Sequence, residues 1–205
     1  MTEERIPLQK AREMSKEERE QLIKTIEESA RDNEIKYYGC SQAVLGALQQ
    51  YLDIGCDETF KAATAFAGGV GRMREACGAL CGGVMAISVA YGRARFEDGK
   101  VGREQPDYQE AQARANKLGN QFQETFGSCR CDDIRVSIRG ADYKDYTGIN
   151  TLEAYEDHKK CGDVTGPAAR LAAEILLEPT ELFAAEIKAA LEGMAQIRKL
   201  MREVK

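Results

Sequence analysis

A chain of 205 residues, 43% apolar and 31% charged, has the composition of an ordinary folded domain with enough apolar side chains for one core. Its net charge of -5 comes from 34 acidic and 29 basic residues scattered without a stripe, which excludes the basic footprint of a nucleic-acid binder. No apolar run approaches the roughly 20 residues of a membrane span, so neither nucleic acid nor membrane is expected as a partner.

The first residues, "MTEERIPLQKAREMSKEERE", lack the basic start and apolar centre of a secretory leader, and a cytoplasmic location is expected. Helical signals then follow one another. Ser15 and Glu18 stand at capping-box spacing before a stripe of Leu22, Ile23 and Ile26. Val44, Leu45, Leu48 and Leu52 predict a second amphipathic helix that begins near Cys40. "DETFKAATAFAGG" predicts a short helix capped by Asp57 and stopped by Gly68-Gly69. "ACGALCGGVMAISVAYG" is apolar on nearly every side and reads as the central buried helix. Beyond a charged, Gly-rich loop over 96–106, "DYQEAQARANKLGNQFQETFG" is amphipathic again and ends at Gly127.

Ile134, Val136 and Ile138 alternate, which predicts a short strand or extended loop after Gly127. Asn150 or Thr151 is read as the cap of a short helix leading to Cys161, and helix continues from Asp163 with a break at Glu178-Pro179. In the last helix Phe183, Ile187, Ala190, Met194, Ile197 and Met201 follow alternating four- and three-residue steps. That seam fits packing on its own domain or a dimer interface. The expected architecture is all-α: an N-terminal helix (1–34), a cysteine-rich bundle-like domain (35–178) and a C-terminal helical extension (179–205).

Seven cysteines, Cys40, Cys56, Cys77, Cys81, Cys129, Cys131 and Cys161, are many for a reducing compartment, and their odd number forbids complete internal pairing. Cys56 reads as a small buried hydrophobe, and Cys81 is divided between that role and a thiol function. Cys77 and Cys81 lie one helical turn apart. Cys40, at a helix start, is expected to carry a depressed pKa. In an extended chain Cys129 and Cys131 would point the same way, towards one shared site. Glycines beside these thiols permit close approach and leave N–H groups to face an anion. Gly68, Gly69, Gly71, Gly78 and Arg72 are therefore the candidate shell of a bound cofactor, with Arg74 adding charge. A thiolate group bridged by metal is such an anion. His158 stands alone among charged residues, so neither a histidine-based catalytic pair nor a zinc site of two cysteines and two histidines is available.

"YGCSQAVLGAL", "AGGVGRMREACGALCGGVMAISVAYG", "FGSCRCDDI" and "KKCGDVTGPAARLAAEIL" resemble, in order and spacing, the C_GCAxxG_C_C family of redox-active proteins, over about Cys40 to Leu177. Members are similar to the non-haem part of split-Soret cytochromes, which are dimeric and hold an iron–sulfur cluster beside haem. The resemblance implies a homodimeric redox protein exchanging electrons with a partner protein. Its four pattern cysteines fall on Cys40, Cys77, Cys131 and Cys161 as cluster ligands, with Cys81 and Cys129 as candidates for additional ligation. No C-x2-C-H haem motif is present, so haem is not expected. The other readings are a thiol–disulfide or sensor protein, and a structural zinc protein with four cysteine ligands. If the chain is an enzyme, it is an oxidoreductase or a subunit of one. A substrate would meet Arg72, Arg74 and the edge of the thiol group, where Tyr37, Tyr38 and Tyr91 could line it.

Overall fold

The computed structural model describes residues 5–98, 102–140, 156 and 159–203, and they form an all-α fold. Its helices are α1 (Leu8–Glu13), α2 (Lys16–Tyr37), α3 (Cys40–Tyr51), α4 (Asp57–Ala62), α5 (Gly78–Tyr91), α6 (Pro106–Phe126), α7 (Cys131–Arg139), α8 (Gly162–Leu177) and α9 (Ala184–Glu203). The expected cap of a helix at Asn150 or Thr151, and His158, lie outside the described residues.

The local signals explain most of the boundaries. Ser15 and Glu18 close the capping box of α2, and Gly127 ends α6 in the left-handed conformation. The short helix α4 is capped by Cys56 rather than Asp57 and stops at Ala62. A single 3-10 turn, Thr64–Phe66, follows it before the glycines.

The largest departure from expectation is α7. Ile134, Val136 and Ile138 alternate in sequence, yet the segment is a helix. Cys131, Ile134 and Ile138 also recur at three and four residues, and that period prevails: Ile134 is buried while Val136 is 43% exposed.

Five helices enclose the core. α8 packs on α2, α3, α5 and α6, and α5 packs on α3, α6 and α8. Ile26, Leu45, Leu48, Ile87, Leu118, Phe122 and Leu176 are all fully buried, each contributing about 1.5–3 kcal/mol of apolar transfer. α8 presents small residues, Ala168, Ala169, Ala172 and Ala173, so its neighbours come close. The glycines of α5 serve the same end. A Cβ at Gly82 would run into the Ser41 carbonyl of α3, and one at Gly83 would stand 2.8 Å from Leu118 Cδ2. No described helix is long and apolar enough to cross a membrane.

The C-terminal end of α8 is closed by buried charge. Arg114 is fully buried and donates to the carbonyls of Ile175 at 2.6 Å and Glu178 at 3.2 Å, while pairing with Glu110 at 2.8 Å. Its guanidinium lies 3.8 Å from the Tyr91 ring centre and 4.3 Å from that of Phe183. Tyr91 and Arg12 donate to the Leu176 carbonyl. Phe183, just before α9, is buried, whereas Ile197, Leu200 and Met201 of α9 are 49%, 60% and 66% exposed.

Candidate functional site

Each of the four pattern cysteines begins a helix. Cys40 is the first residue of α3 and Cys131 the first of α7, while Cys77 caps α5 and Cys161 caps α8. These are positions where backbone N–H groups lack intrahelical acceptors and the helix field favours an anion. The thiols also sense one another: Cys40 with Cys77 and Cys161, and Cys77 with Cys131 and Cys161. Residues from four separate segments thus share one neighbourhood.

The backbone sets the spacing. The loop before α5 meets the start of α7 as an isolated antiparallel bridge between Ala76 and Arg130. The Cys77 amide donates to the Cys129 carbonyl at 2.9 Å, and the Cys131 amide to the Glu75 carbonyl at 2.6 Å. The Asp132 amide donates to the Arg74 carbonyl at 3.1 Å, beside an Arg74–Asp132 ion pair at 3.4 Å. These bonds place Cys77 and Cys131 side by side. They also use the first two amides of α7, so positive field at Cys131 comes mainly from Arg135, Arg139 and Arg74.

Gly78 and Gly69 are cradle residues. A Cβ at Gly78 would collide with the Cys40 sulfur, and one at Gly69 would stand 2.7 Å from Cys131 Cβ. The Gly68 amide faces the Cys40 sulfur, and the amides of Ala79 and Leu80 face that of Cys77 without closing a full capping bond. Gly71 meets nothing within 4 Å of its would-be Cβ, and Arg72 is exposed. The loop is strained. Gly68, Gly69, Val70, Gly71 and Arg72 all have positive φ, as does Arg74. For Val70, β-branched with φ 59°, this is a costly conformation.

Burial governs the protonation of the sulfurs. It pushes the Cys77 thiol up to about 12 and the Cys40 thiol well above the ordinary range, with Glu34 and Cys77 adding to the rise at Cys40. The depressed pKa expected for Cys40 is therefore corrected: desolvation outweighs the helix start. Burial also raises Cys161, opposed chiefly by Arg139, whose Nη2 donates to its sulfur at 3.3 Å. Cys131 is raised by burial against Arg135, Arg139 and Arg74.

The other three cysteines separate from this set in different degrees. Cys81 is half-buried and senses Cys131. Cys129 turns away from Cys131, its thiol donating to the Gly119 carbonyl of α6 at 3.6 Å. The shared face expected for Cys129 and Cys131 is lost because α7 begins at Cys131. Cys56 is exposed, not buried, with its sulfur 3.5 Å from Thr59 Oγ1. Tyr37 and Tyr38 are exposed, but Tyr91 lies at the far end of α5 in the Arg114 network. Sequence reasoning missed Glu34, a carboxylate only 1% exposed beside Cys40 and Cys161, and it missed Arg135 and Arg139. The one available signal was position: Arg135 and Arg139 follow Cys131 at four and eight residues, along one helix face.

Among the described residues, no three His, Cys, Asp or Glu side chains are gathered tightly enough to hold a metal ion. The thiols form a neighbourhood, not a closed coordination sphere. The donors nevertheless suit a sulfur-ligated group: four thiols, amides and guanidinium facing their sulfurs, and glycines where a side chain would strike them.

No curated protein and no solved structure matches the chain. A family model does, over residues 38–175, under the description "Putative redox-active protein (C_GCAxxG_C_C)". The match takes in every cysteine of the site and α3 through most of α8, so the chain belongs to the C_GCAxxG_C_C family.

Proposed function

We propose that this chain is an electron-transfer protein that holds an iron–sulfur cluster through Cys40, Cys77, Cys131 and Cys161. The observation that carries the reading is the meeting of four thiols from four helix starts, with positive groups turned towards sulfur. When bound, such a cluster supplies one-electron chemistry.

The residues here do the rest. Desolvation holds the Cys40 and Cys77 sulfurs protonated, so binding must displace their protons. Arg139 offsets negative charge at Cys161, and Arg135 and Arg74 do so at Cys131. Gly78 keeps the backbone close to the Cys40 sulfur, Gly68 turns its amide to the same sulfur, and Gly69 makes room for the Cys131 side chain. Four cysteine thiols with a single histidine in the whole chain suit a sulfur-ligated cluster, and among the described residues they do not close on a single metal-ion centre. Thiols with raised pKa are poor nucleophiles at neutral pH, which weakens the thiol–disulfide reading.

Two partners belong to the proposal. One is a redox protein that delivers or accepts the electron. The other is a second copy of this chain, joined through Ile197, Leu200 and Met201 at the exposed end of α9. Sedimentation of wild type and a Leu200→Glu/Met201→Glu variant tests the second, a monomer in both being the contrary result.

The test of the cluster is chemical. Protein purified without oxygen is expected to be brown, with iron and acid-labile sulfide in equal amounts. A colourless protein lacking both, after an attempt at reconstitution, ends the proposal. Zinc found with neither iron nor sulfide would transfer the four thiols to the structural reading.

A further inference from the structure

We infer that Arg139 is a positioning residue that sets the reduction potential of the thiol site through its hydrogen bond to Cys161. The inference rests on the reading of the site as a redox centre.

Arg139 is the last residue of α7, the helix that Cys131 begins, and its Nη2 donates across to Cys161 Sγ of α8 at 3.3 Å. It thus ties two of the sulfur-bearing helices. A neutral thiol is a weak acceptor, and a guanidinium gains most when the acceptor is an anion. A cation placed on this sulfur is therefore worth most in the more negative, reduced state of the site. The surroundings raise the need for it: Cys161 is desolvated, and the buried Glu34 carboxylate on α2 adds negative charge. Arg135 also acts on Cys161 by charge, but no hydrogen bond from it to the sulfur is seen. Arg135 therefore provides an internal comparison, because it carries the same charge without the bond. Arg139 makes and breaks no covalent bond; it shifts the balance between the two oxidation states.

The experiment is a reductive titration, with dithionite, of anaerobically prepared wild type and of Arg139→Gln, Arg139→Lys and Arg135→Gln. Circular dichroism confirms the fold of each. Arg139→Gln is expected to lower the reduced-to-oxidised ratio about tenfold at fixed poise, which is about 59 mV for a one-electron couple. Arg139→Lys should recover part of the shift, and Arg135→Gln should shift less. Equal shifts in Arg139→Gln and Arg135→Gln, or none in Arg139→Gln, overturn the inference.

A second arm uses the metal-free protein equilibrated in a glutathione buffer of fixed composition. Mass spectrometry reads the fraction of Cys161 in disulfide form, the two electrons passing to glutathione disulfide. Arg139→Gln should raise that fraction at Cys161 more than Arg135→Gln does, and an unchanged fraction counts against Arg139. If wild type shows no one-electron couple, the cluster reading fails and this arm alone decides the role of Arg139.

Discussion

The two ends of α8 solve opposite electrostatic problems in opposite ways. At the C-terminal end the orphan carbonyls of Ile175, Leu176 and Glu178 receive hydrogen bonds from Arg114, Arg12 and Tyr91, and the buried guanidinium of Arg114 is paired and flanked by two rings. Each of those three carbonyls has a donor within the chain. At the N-terminal end, Cys161 lies within electrostatic reach of the Cys40 and Cys77 thiols and of the buried Glu34 carboxylate. Helix starts, amides and arginines favour sulfur anions, while burial holds the same sulfurs protonated. That end is electrostatically incomplete until something displaces the protons. One end is closed by the chain's own side chains, and the other carries the conflict that the proposed cluster would relieve.

The contrast is sharpest when each end is broken separately. Arg114→Met should cost about 3–5 kcal/mol, because Glu110 loses its buried partner and three acceptors lose their donor. Urea unfolding reads this loss, and iron per folded chain should not change. At the other end, stability of the metal-free reduced protein should depend on pH. The Cys77 thiol is raised to about 12, from an ordinary value of 9.0. Between those values the folded chain keeps a proton that the unfolded chain has lost, so stability falls as pH rises through this window. Cys77→Ser should flatten that part of the curve of urea midpoint against pH.

Gly78→Ala tests the cradle. The added methyl group meets the Cys40 sulfur and the Phe66 carbonyl, and overpacking of this kind costs about 1–3 kcal/mol. Its iron content should fall out of proportion to its stability, which separates it from Arg114→Met. The smallest effect is expected at Arg72, exposed with φ 66°. Glycine there removes about 1–2 kcal/mol of left-handed strain and costs about 0.5–1 kcal/mol of chain entropy. Arg72→Gly should therefore raise the unfolding midpoint slightly. A lower midpoint would mean that the loop does not carry strain at this position.

The sequence was most informative where one local rule acted alone. The capping box at Ser15, the Gly127 stop and the uniformly apolar α5 were all legible. α7 was misread because Ile134, Val136 and Ile138 fit a period of two, while the three- and four-residue spacing of Cys131, Ile134 and Ile138 carried the helix. Helix starts at Cys40 and Cys161 could be foreseen, but the sign of the Cys40 shift could not, since it depends on desolvation by distant segments. Nothing in the order of residues announces that Val70 will take a left-handed conformation, or that Arg114 will be fully buried. Those features exist only once remote elements pack together.

The central claim is tested most directly by iron retained per chain across the seven single Cys→Ser variants, each prepared without oxygen. Loss at Cys40, Cys77, Cys131 and Cys161, with wild-type iron in Cys56→Ser, is the predicted result. Retention at any of the four, or the same iron content in all seven variants, would contradict it.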